Sequence, residues 1–224
     1  MTVTRIFVAT ILAVTFVFIS VSAGEKEGGS ASASPEISGL LESIGKKVSD
    51  FKSLKTSFVQ EKNLSVFQKK IILKGRVCLQ KPGKLAWHVD HPCRYSVVIT
   101  DRSIRQWDEG TKEVQETPLS GNPVFQNITN QLAVWFSGDY CSLLQDYCVT
   151  VREKKPVILR FVPKEKNMAA KVIKSITVTF REDERYIKRI DILEVGGDST
   201  TIVFDNTEFN PPPQELDFEV KRRV

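Results

Sequence analysis

The feature that most constrains this chain is a long succession of strand-length segments joined by short polar turns. They are Lys55–Val66, Lys70–Gln80, Leu85–Val89, Tyr95–Asp101, Arg105–Asp108, Val114–Glu116, Cys148–Arg152, Val157–Val162, Val172–Phe180, Tyr186–Val195, Thr200–Phe204 and Leu216–Lys221. Connections as tight as Pro82-Gly83 and Gly196-Gly197-Asp198 join antiparallel neighbours and are too short for crossover helices. We therefore predict a mainly β fold with about ten or eleven strands in one antiparallel sheet.

Two segments interrupt this pattern with apolar residues at helical spacing. The first follows the helix start Ser34-Pro35-Glu36, and its apolar residues are Ile37, Leu40, Leu41, Ile44, Val48 and Phe51. The second runs from Val124 to Phe136 and includes Ile128, Leu132 and Trp135, and Ser142–Tyr147 is typical of a short third helix. A sheet of this many strands curls and has one apolar face for these segments to cover. The predicted fold is an unclosed antiparallel β-barrel covered by two or three lid helices.

The first 23 residues have the organisation of a secretory signal peptide. Arg5 precedes the apolar run from Ile6 to Val21, and Val21-Ser22-Ala23 offers small residues for cleavage. A retained membrane anchor is the alternative, although the apolar run is shorter than the roughly 20 residues that span a bilayer. Residues 24–35 are small and polar and predict a flexible leader. Residues 36–224 then form the single domain of an exported protein.

The charge pattern argues against nucleic acid as a partner. The formal net charge is +5 in 224 residues, and the two signs alternate along the chain. No basic run carries interleaved aromatic residues, which nucleic-acid-binding surfaces use.

Four cysteines follow the signal segment, and an even number in an exported chain predicts disulfides. Three pairings are possible, and we favour Cys141–Cys148 and Cys78–Cys93 because both close short loops. The alternative is that one or both pairs are buried thiols.

The sequence offers little support for catalysis or for a bound metal. Its two histidines, His88 and His91, lie at the end of a strand before Pro92, where we expect both to be exposed to solvent. Ser43 and Lys46 have the spacing of a Ser–Lys pair but lie on the polar side of the first helix. Carboxylates are scattered, and no phosphate-binding loop or zinc motif is present. We predict a protein that is not an enzyme and that needs no cofactor.

Four motifs in the same order resemble the LolA family of periplasmic lipoprotein carriers and its LolA-like relatives. The resemblance runs from Leu41 to Lys221. The most specific motif is the segment from Gly75 to Trp87, which contains Lys81-Pro82 and is followed by Pro92. The other three are Val48-Ser49-Asp50-Phe51 leading to Thr56-Ser57-Phe58-Val59-Gln60, then Leu159-Arg160-Phe161-Val162-Pro163-Lys164, and Gly197-Asp198-Ser199-Thr200-Thr201-Ile202-Val203-Phe204 with Asn210 beyond.

The resemblance implies a monomeric carrier that holds the acyl chains of a lipoprotein, or of a related lipid, in an apolar groove. It also implies a periplasmic location, an inner-membrane ABC transporter as donor and an outer-membrane acceptor. Lys81 takes the place of a basic residue that holds the lid closed by hydrogen bonding. The lid residues are Leu40, Leu41, Ile44, Val48, Ile128, Leu132 and Trp135. The groove-lining candidates are Phe58, Leu85, Val97, Ile99, Leu159, Phe161, Ile176, Val178, Ile190, Ile192, Ile202 and Phe204.

Two alternatives stay open at this point. The segment Trp135-Phe136-Ser137-Gly138-Asp139 is similar to the LolA-like branch, whose members carry a glycolipid or another lipid that is not a lipoprotein. The second alternative is an envelope scaffold domain whose interior is filled by its own side chains, because periodicity alone does not distinguish a packed core from a vacant groove.

Overall fold

The computed structural model describes residues 34–66, 69–120, 134–135, 137–212 and 214–220. The predicted signal peptide, nearly all of the leader and most of the second predicted helix, including Ile128 and Leu132, lie outside these residues. Within the part described, no helix is long and apolar enough to cross a membrane.

One complete α-helix, eleven strands and three short 3-10 helices make up most of this part of the chain, and Val134, Trp135 and Ser137 are also helical. The helix α1 spans Pro35–Ser49 and takes in the last residue of the predicted leader. The strands are β1 (Ser53–Leu64), β2 (Lys69–Gln80), β3 (Lys84–His91), β4 (Tyr95–Ile99), β5 (Ser103–Asp108), β6 (Val114–Pro118), β7 (Tyr147–Lys154), β8 (Val157–Pro163), β9 (Ile173–Phe180), β10 (Ile187–Glu194) and β11 (Ser199–Phe209). The 3-10 helices are η1 (Ser142–Gln145), η2 (Met168–Lys171) and η3 (Glu215–Phe218).

All eleven strands form a single antiparallel sheet in the order β6-β5-β4-β3-β2-β1-β11-β10-β9-β8-β7. Every neighbour is also a neighbour in sequence except the central pair, where β1 meets β11. The sheet is therefore two meanders joined in the middle, and its edges β6 and β7 do not pair with each other. The predicted unclosed antiparallel barrel is confirmed.

The last predicted strand, Leu216–Lys221, is wrong. The chain leaves β11 at Asn210, whose φ of +53° turns it away from the sheet, and prolines without a backbone N–H follow. The segment then forms η3 and packs on the outside of the sheet, where Val220 lies in a small apolar cluster with Cys78, Ala86 and Val98.

The prediction of an exposed His88 is also wrong. The imidazole is 2% exposed, because it lies beneath this C-terminal segment. Its Nδ1 is 3.0 Å from Ser96 Oγ on the adjacent strand, and its Nε2 is 2.8 Å from the carbonyl oxygen of Asp217. His88 thus contributes to holding the C-terminal segment on the sheet, whereas His91 is exposed as predicted.

Neither predicted disulfide is formed, although each would close a short loop. Cys78 pairs across the sheet with Ala86, and Cys93 lies seven residues beyond Ala86 at the far end of β3, roughly 20 Å away. Cys141 contacts the carbonyl oxygen of Ser38 in α1 through its Sγ, at 3.8 Å. Cys148 is exposed between the inward-facing residues of β7, so the two thiols lie on different sides of the sheet.

Candidate functional site

The sheet has one continuous apolar face, which we call the inner face because α1 packs against it. All twelve groove-lining candidates are buried in a single cluster that also contains Leu41, Ile44 and Val48 of α1. Leu40 packs against the same cluster and is partly buried. The structure therefore brings every described lid candidate and every groove candidate into one apolar assembly, and contact with a cargo stays a prediction.

Strand register explains why twelve residues from seven strands share this face. Residues directly opposite each other in an antiparallel sheet point to the same side. On one half of the sheet Phe58 is opposite Phe204. The row continues through the pairs Ile202–Ile190, Ile190–Val178 and Val178–Leu159. On the other half, Leu85 is opposite Ile99.

Aromatic side chains connect the end of α1 to the centre of the inner face. Phe51, just after the helix, lies 6.1 Å from Tyr186, and Tyr186 lies 5.9 Å from Phe204, measured between ring centroids. Trp87 is 6.3 Å from Phe204 and 4.4 Å from Phe58. The contact between Phe58 and Trp87 is tilted and the other three are edge-to-face, and each aromatic pair of this kind stabilises by about 0.5–1.5 kcal/mol beyond area burial. The sequence predicted Tyr186 only as the first residue of a strand, because nothing in its local pattern indicates a contact with the end of α1.

The predicted lid residue Trp135 contacts the inner face directly. Its ring centroid is 5.1 Å from that of Phe161, one of the groove candidates. It also lies 6.3 Å from Tyr140, whose hydroxyl donates a hydrogen bond to the Trp135 carbonyl oxygen. Burial raises the pKa of Tyr140, which therefore stays protonated and able to donate. Trp135 accordingly covers the half of the inner face formed by β7 to β9.

The two covering segments touch each other through glycine backbones. The carbonyl oxygen of Gly138 lies too close to Gly45 for any side chain there, and a Cβ on Gly138 would be 2.5 Å from the carbonyl oxygen of Gly45. Gly138 also has a φ of +92°, which favours glycine. The helix α1 and the turn after Trp135 therefore pack without intervening side chains. Sequence periodicity gave no indication of this contact.

Lys81 reaches the end of α1, as its role in the resemblance implies. Its Nζ donates a 2.7 Å hydrogen bond to the carbonyl oxygen of Val48 and lies 3.9 Å from the centroid of the Phe51 ring. Val48 is in the last turn of the helix, where carbonyl groups lack helical partners and the helix dipole favours a cation. Burial lowers the pKa of Lys81, against the opposing effect of the Asp50 carboxylate. This hydrogen bond joins the hairpin of β2 and β3 to the cover.

Three buried polar side chains lie together at one end of the inner face, and sequence patterns did not predict them. Gln60 and Lys62 alternate with Phe58 along β1, and Thr200 lies opposite Lys62 on β11. All three are buried. The signal that could have found them is the alternation itself, because residues two apart from Phe58 on a strand must share its face.

Comparison with known families establishes the relationship of this chain. Residues 49–221 match the family described as outer membrane lipoprotein carrier protein LolA. The chain belongs to the LolA family. Among relatives of this LolA-family protein, the outer-membrane lipoprotein carrier protein of Pseudomonas syringae pv. tomato is 26% identical over 137 residues, which are 61% of each chain. That of Chromohalobacter salexigens is 28% identical over 61% of this chain and 60% of its own length. The chain thus matches about three fifths of the length of these relatives.

Solved structures share the fold of this LolA-family member at low sequence identity. A conserved protein from Thermus thermophilus superposes with a TM-score of 0.51 and 10% identity, over 82% of this chain and 92% of that one. The MucA/MucB complex of Pseudomonas aeruginosa gives a TM-score of 0.50 and 14% identity, over 83% of this chain and 61% of that one. At these identities the likeness concerns the fold alone.

Proposed function

We propose that this LolA-family protein carries the acyl chains of a lipoprotein, or of a related lipid, on its inner face through the periplasm. The observation that carries the proposal is the row of twelve apolar side chains from seven strands, continuous beneath α1 and Trp135. The names of the relatives support a lipoprotein as cargo. An inner-membrane ABC transporter as donor and an outer-membrane acceptor complete the proposed route, and no bond is made or broken along it.

The physical basis of the proposal is the cost of placing hydrocarbon in water. Each buried methylene gains about 0.8 kcal/mol, so an acyl chain of about 14 methylenes gains roughly 11 kcal/mol by leaving water. Such a chain does not cross an aqueous compartment unaided. An inner face of aliphatic and aromatic side chains offers a surface of comparable apolarity.

Loading requires that cargo and cover compete for the same face. The apolar stripe of α1 occupies the inner face through Leu41, Ile44 and Val48. A cargo chain that displaces this stripe shifts the protein from a closed to an open state, and departure of the cargo reverses the shift. The hydrogen bond from Lys81 to Val48 favours the closed state and serves as the latch in this scheme.

The test is lipid binding by the native, detergent-free protein. We expect lipid to co-purify and appear in native mass spectrometry, and a fluorescent fatty acid to bind and to be displaced by acylated lipopeptide. Leu85→Glu places a charge on the inner face and should abolish binding of the probe. Val59→Glu is the matched control, because Val59 follows Phe58 on β1 but is exposed on the opposite side of the sheet.

Two outcomes would count against the proposal. If neither lipid nor probe binds to the wild-type protein, the scaffold alternative replaces the carrier. If Leu85→Glu binds the probe as well as Val59→Glu does, the inner face is not the binding surface.

A further inference from the structure

Gln60, Lys62 and Thr200 form a compact polar group at one end of the inner face. Gln60 lies opposite Ile202 on β11 and Leu73 on β2, both buried and apolar. Lys62 Nζ is 3.2 Å from Glu194 Oε1. Because Lys62 is on β1 and Glu194 on β10, this ion pair crosses β11, which lies between them. It therefore passes close to Thr200, the residue of β11 that is opposite Lys62.

Two polar atoms of this group lack hydrogen-bond partners among the described residues. They are Gln60 Oε1 and Thr200 Oγ1, in side chains that are 2% and 1% exposed. Buried polar atoms are nearly always hydrogen-bonded, and an unsatisfied pair in an apolar surface destabilises the protein without its ligand. A matched residue on the same sheet shows the usual situation. Thr56 is also 1% exposed, and its Oγ1 donates to the carbonyl oxygen of Asp205 and contacts Thr207 Oγ1.

The polar group is at the opposite end of the sheet from the attachments of α1. The helix is held near the start of β1, where Lys81 bonds Val48, and near the turn between β9 and β10, where Lys47 pairs with Glu184. Gln60 and Lys62 are six and eight residues beyond Leu54 at the start of β1, a distance of roughly 20–26 Å along the strand. Apolar side chains occupy the inner face between the two ends.

We propose that Gln60 and Thr200 bind the uncharged polar link of the cargo, an amide or a hydroxyl at the head of its acyl chains. This inference rests on the proposed carrier function and specifies the class of cargo. Gln60 Oε1 accepts a hydrogen bond and so requires a donor on the ligand. Thr200 Oγ1 can donate or accept, and Lys62 Nζ has donors beyond the one it shares with Glu194. An amide or a hydroxyl supplies a donor and an acceptor together.

The same group disfavours a phosphate at this position. A phosphate diester offers only acceptors, so it leaves Gln60 Oε1 without a donor as this amide is oriented. The carboxylate of Glu194, which neutralises Lys62, repels an anion in this low-dielectric environment. The chemistry therefore favours amide-linked or hydroxylated acyl lipids over phospholipids, and it fits both the N-acyl amide of a lipoprotein and the sugar of a glycolipid.

The experiment compares four probes that carry similar chains: a triacylated lipopeptide with an amide, an alkyl glucoside with hydroxyls, phosphatidylcholine with a phosphate diester and no donor, and a fatty acid methyl ester without a donor. For the wild type we expect the lipopeptide or the glucoside to bind more tightly than the methyl ester. In Thr200→Val and Gln60→Leu this preference over the methyl ester should fall about tenfold, the equivalent of one lost hydrogen bond. If the variants lose the preference for the lipopeptide, the bound link is an amide; if they lose the preference for the glucoside, it is a hydroxyl.

Thr56→Val is the control for a buried threonine in the same sheet. It removes a satisfied hydroxyl, so its Tm should fall by a few degrees while the preference among probes stays at the wild-type value. Thr200→Val removes an unsatisfied hydroxyl, so its Tm should be unchanged or raised, a readout that holds even if no probe preference is measured. A fall in the Tm of Thr200→Val that equals or exceeds that of Thr56→Val would overturn the proposal.

The outcomes separate this inference from the carrier function on which it rests. If the wild type binds none of the four probes, both fail. If it binds chains without preference, or if Thr200→Val and Gln60→Leu keep the wild-type preference, the polar site is refuted and the carrier function stands. A preference for phosphatidylcholine that depends on Thr200 would also refute the assigned chemistry.

Discussion

The backbones of Gly45 and Gly138 are in contact, so that the middle of α1 lies directly on the turn that follows Trp135. Because Gly45 belongs to the helix and Gly138 to the chain that carries Trp135, the two covers cannot move independently without separating these backbones. Displacement of one cover by a cargo chain is therefore coupled to displacement of the other.

Gly45→Ala should force the two covers apart. The new Cβ would meet the carbonyl oxygen of Gly138, which belongs to the backbone and cannot rotate away. We expect a loss of about 2 kcal/mol or more in the free energy of unfolding and increased binding of a hydrophobic dye to the inner face. The measurements are denaturant unfolding and dye fluorescence.

The control for Gly45→Ala is Gly39→Ala in the same helix. No atom lies within 4 Å of a Cβ at Gly39, so alanine there should stabilise the helix by about 0.5–1 kcal/mol. Equal effects of the two substitutions would show that helix propensity, and not the contact with Gly138, governs the response.

Lys81→Met should weaken closure of the cover while keeping the bulk of the side chain. The substitution leaves the carbonyl oxygen of Val48 without its donor, a loss of about 1–3 kcal/mol. We expect faster release of a bound fluorescent fatty acid in stopped-flow measurements, with a smaller change in the rate of uptake. Lys84→Met, on the exposed side of the same hairpin, should release the probe at the wild-type rate. Identical release by Lys81→Met and Lys84→Met would remove Lys81 as the latch.

Stability should depend on pH through the same amine. Burial lowers the pKa of Lys81 from 10.5, so the folded protein loses this proton before the unfolded chain does. The unfavourable contribution of the buried charge is fully present below the lowered pKa and disappears as the pH rises toward about 10.5. As the pH rises through the lowered pKa toward about 10.5, the free energy of unfolding of the wild type should therefore increase relative to that of Lys81→Met. A difference that is constant or shrinks over this range would contradict the effect of burial.

Thiol labelling should distinguish four cysteines by their surroundings rather than by disulfide pairing. Cys93 and Cys148 are exposed and should react with maleimide within the first labelling interval. Cys141 should react more slowly, since burial raises the pKa of its thiol, and Cys78 should react only after unfolding. Mass spectrometry of the labelled protein counts the modified sites. A mass lower by two protons for either predicted pair would restore the disulfide prediction.

Much of the sheet could be predicted because alternation and turns are local properties. The pattern of Val172–Phe180 and its tight turn to the next strand define both an element and its neighbour, and the structure has β9 and β10 there. The same logic placed Phe58 and Phe204 on the inner face, since the nearest buried residues to each along its own strand are two positions away.

What could not be predicted depends on contacts between distant parts of the chain. His88 looks like an exposed strand-end residue until Asp217 is placed over it, 129 residues later. The segment Leu216–Lys221 has strand-like residues, but the chain has already left the sheet at Asn210. The contact between Gly45 and Gly138 requires two glycines whose meeting no periodicity encodes.

The edge strands β6 and β7 are consecutive in sequence although they lie at opposite margins of the sheet. Since they share no hydrogen bonds, the margins can move apart or together by a change in curvature that leaves every strand pair intact. The linker between them is the part of the chain that contains Trp135 and Gly138. A change in the distance between the two edges therefore moves both ends of the segment that carries part of the cover, so the width of the sheet and the position of this cover are linked through the chain.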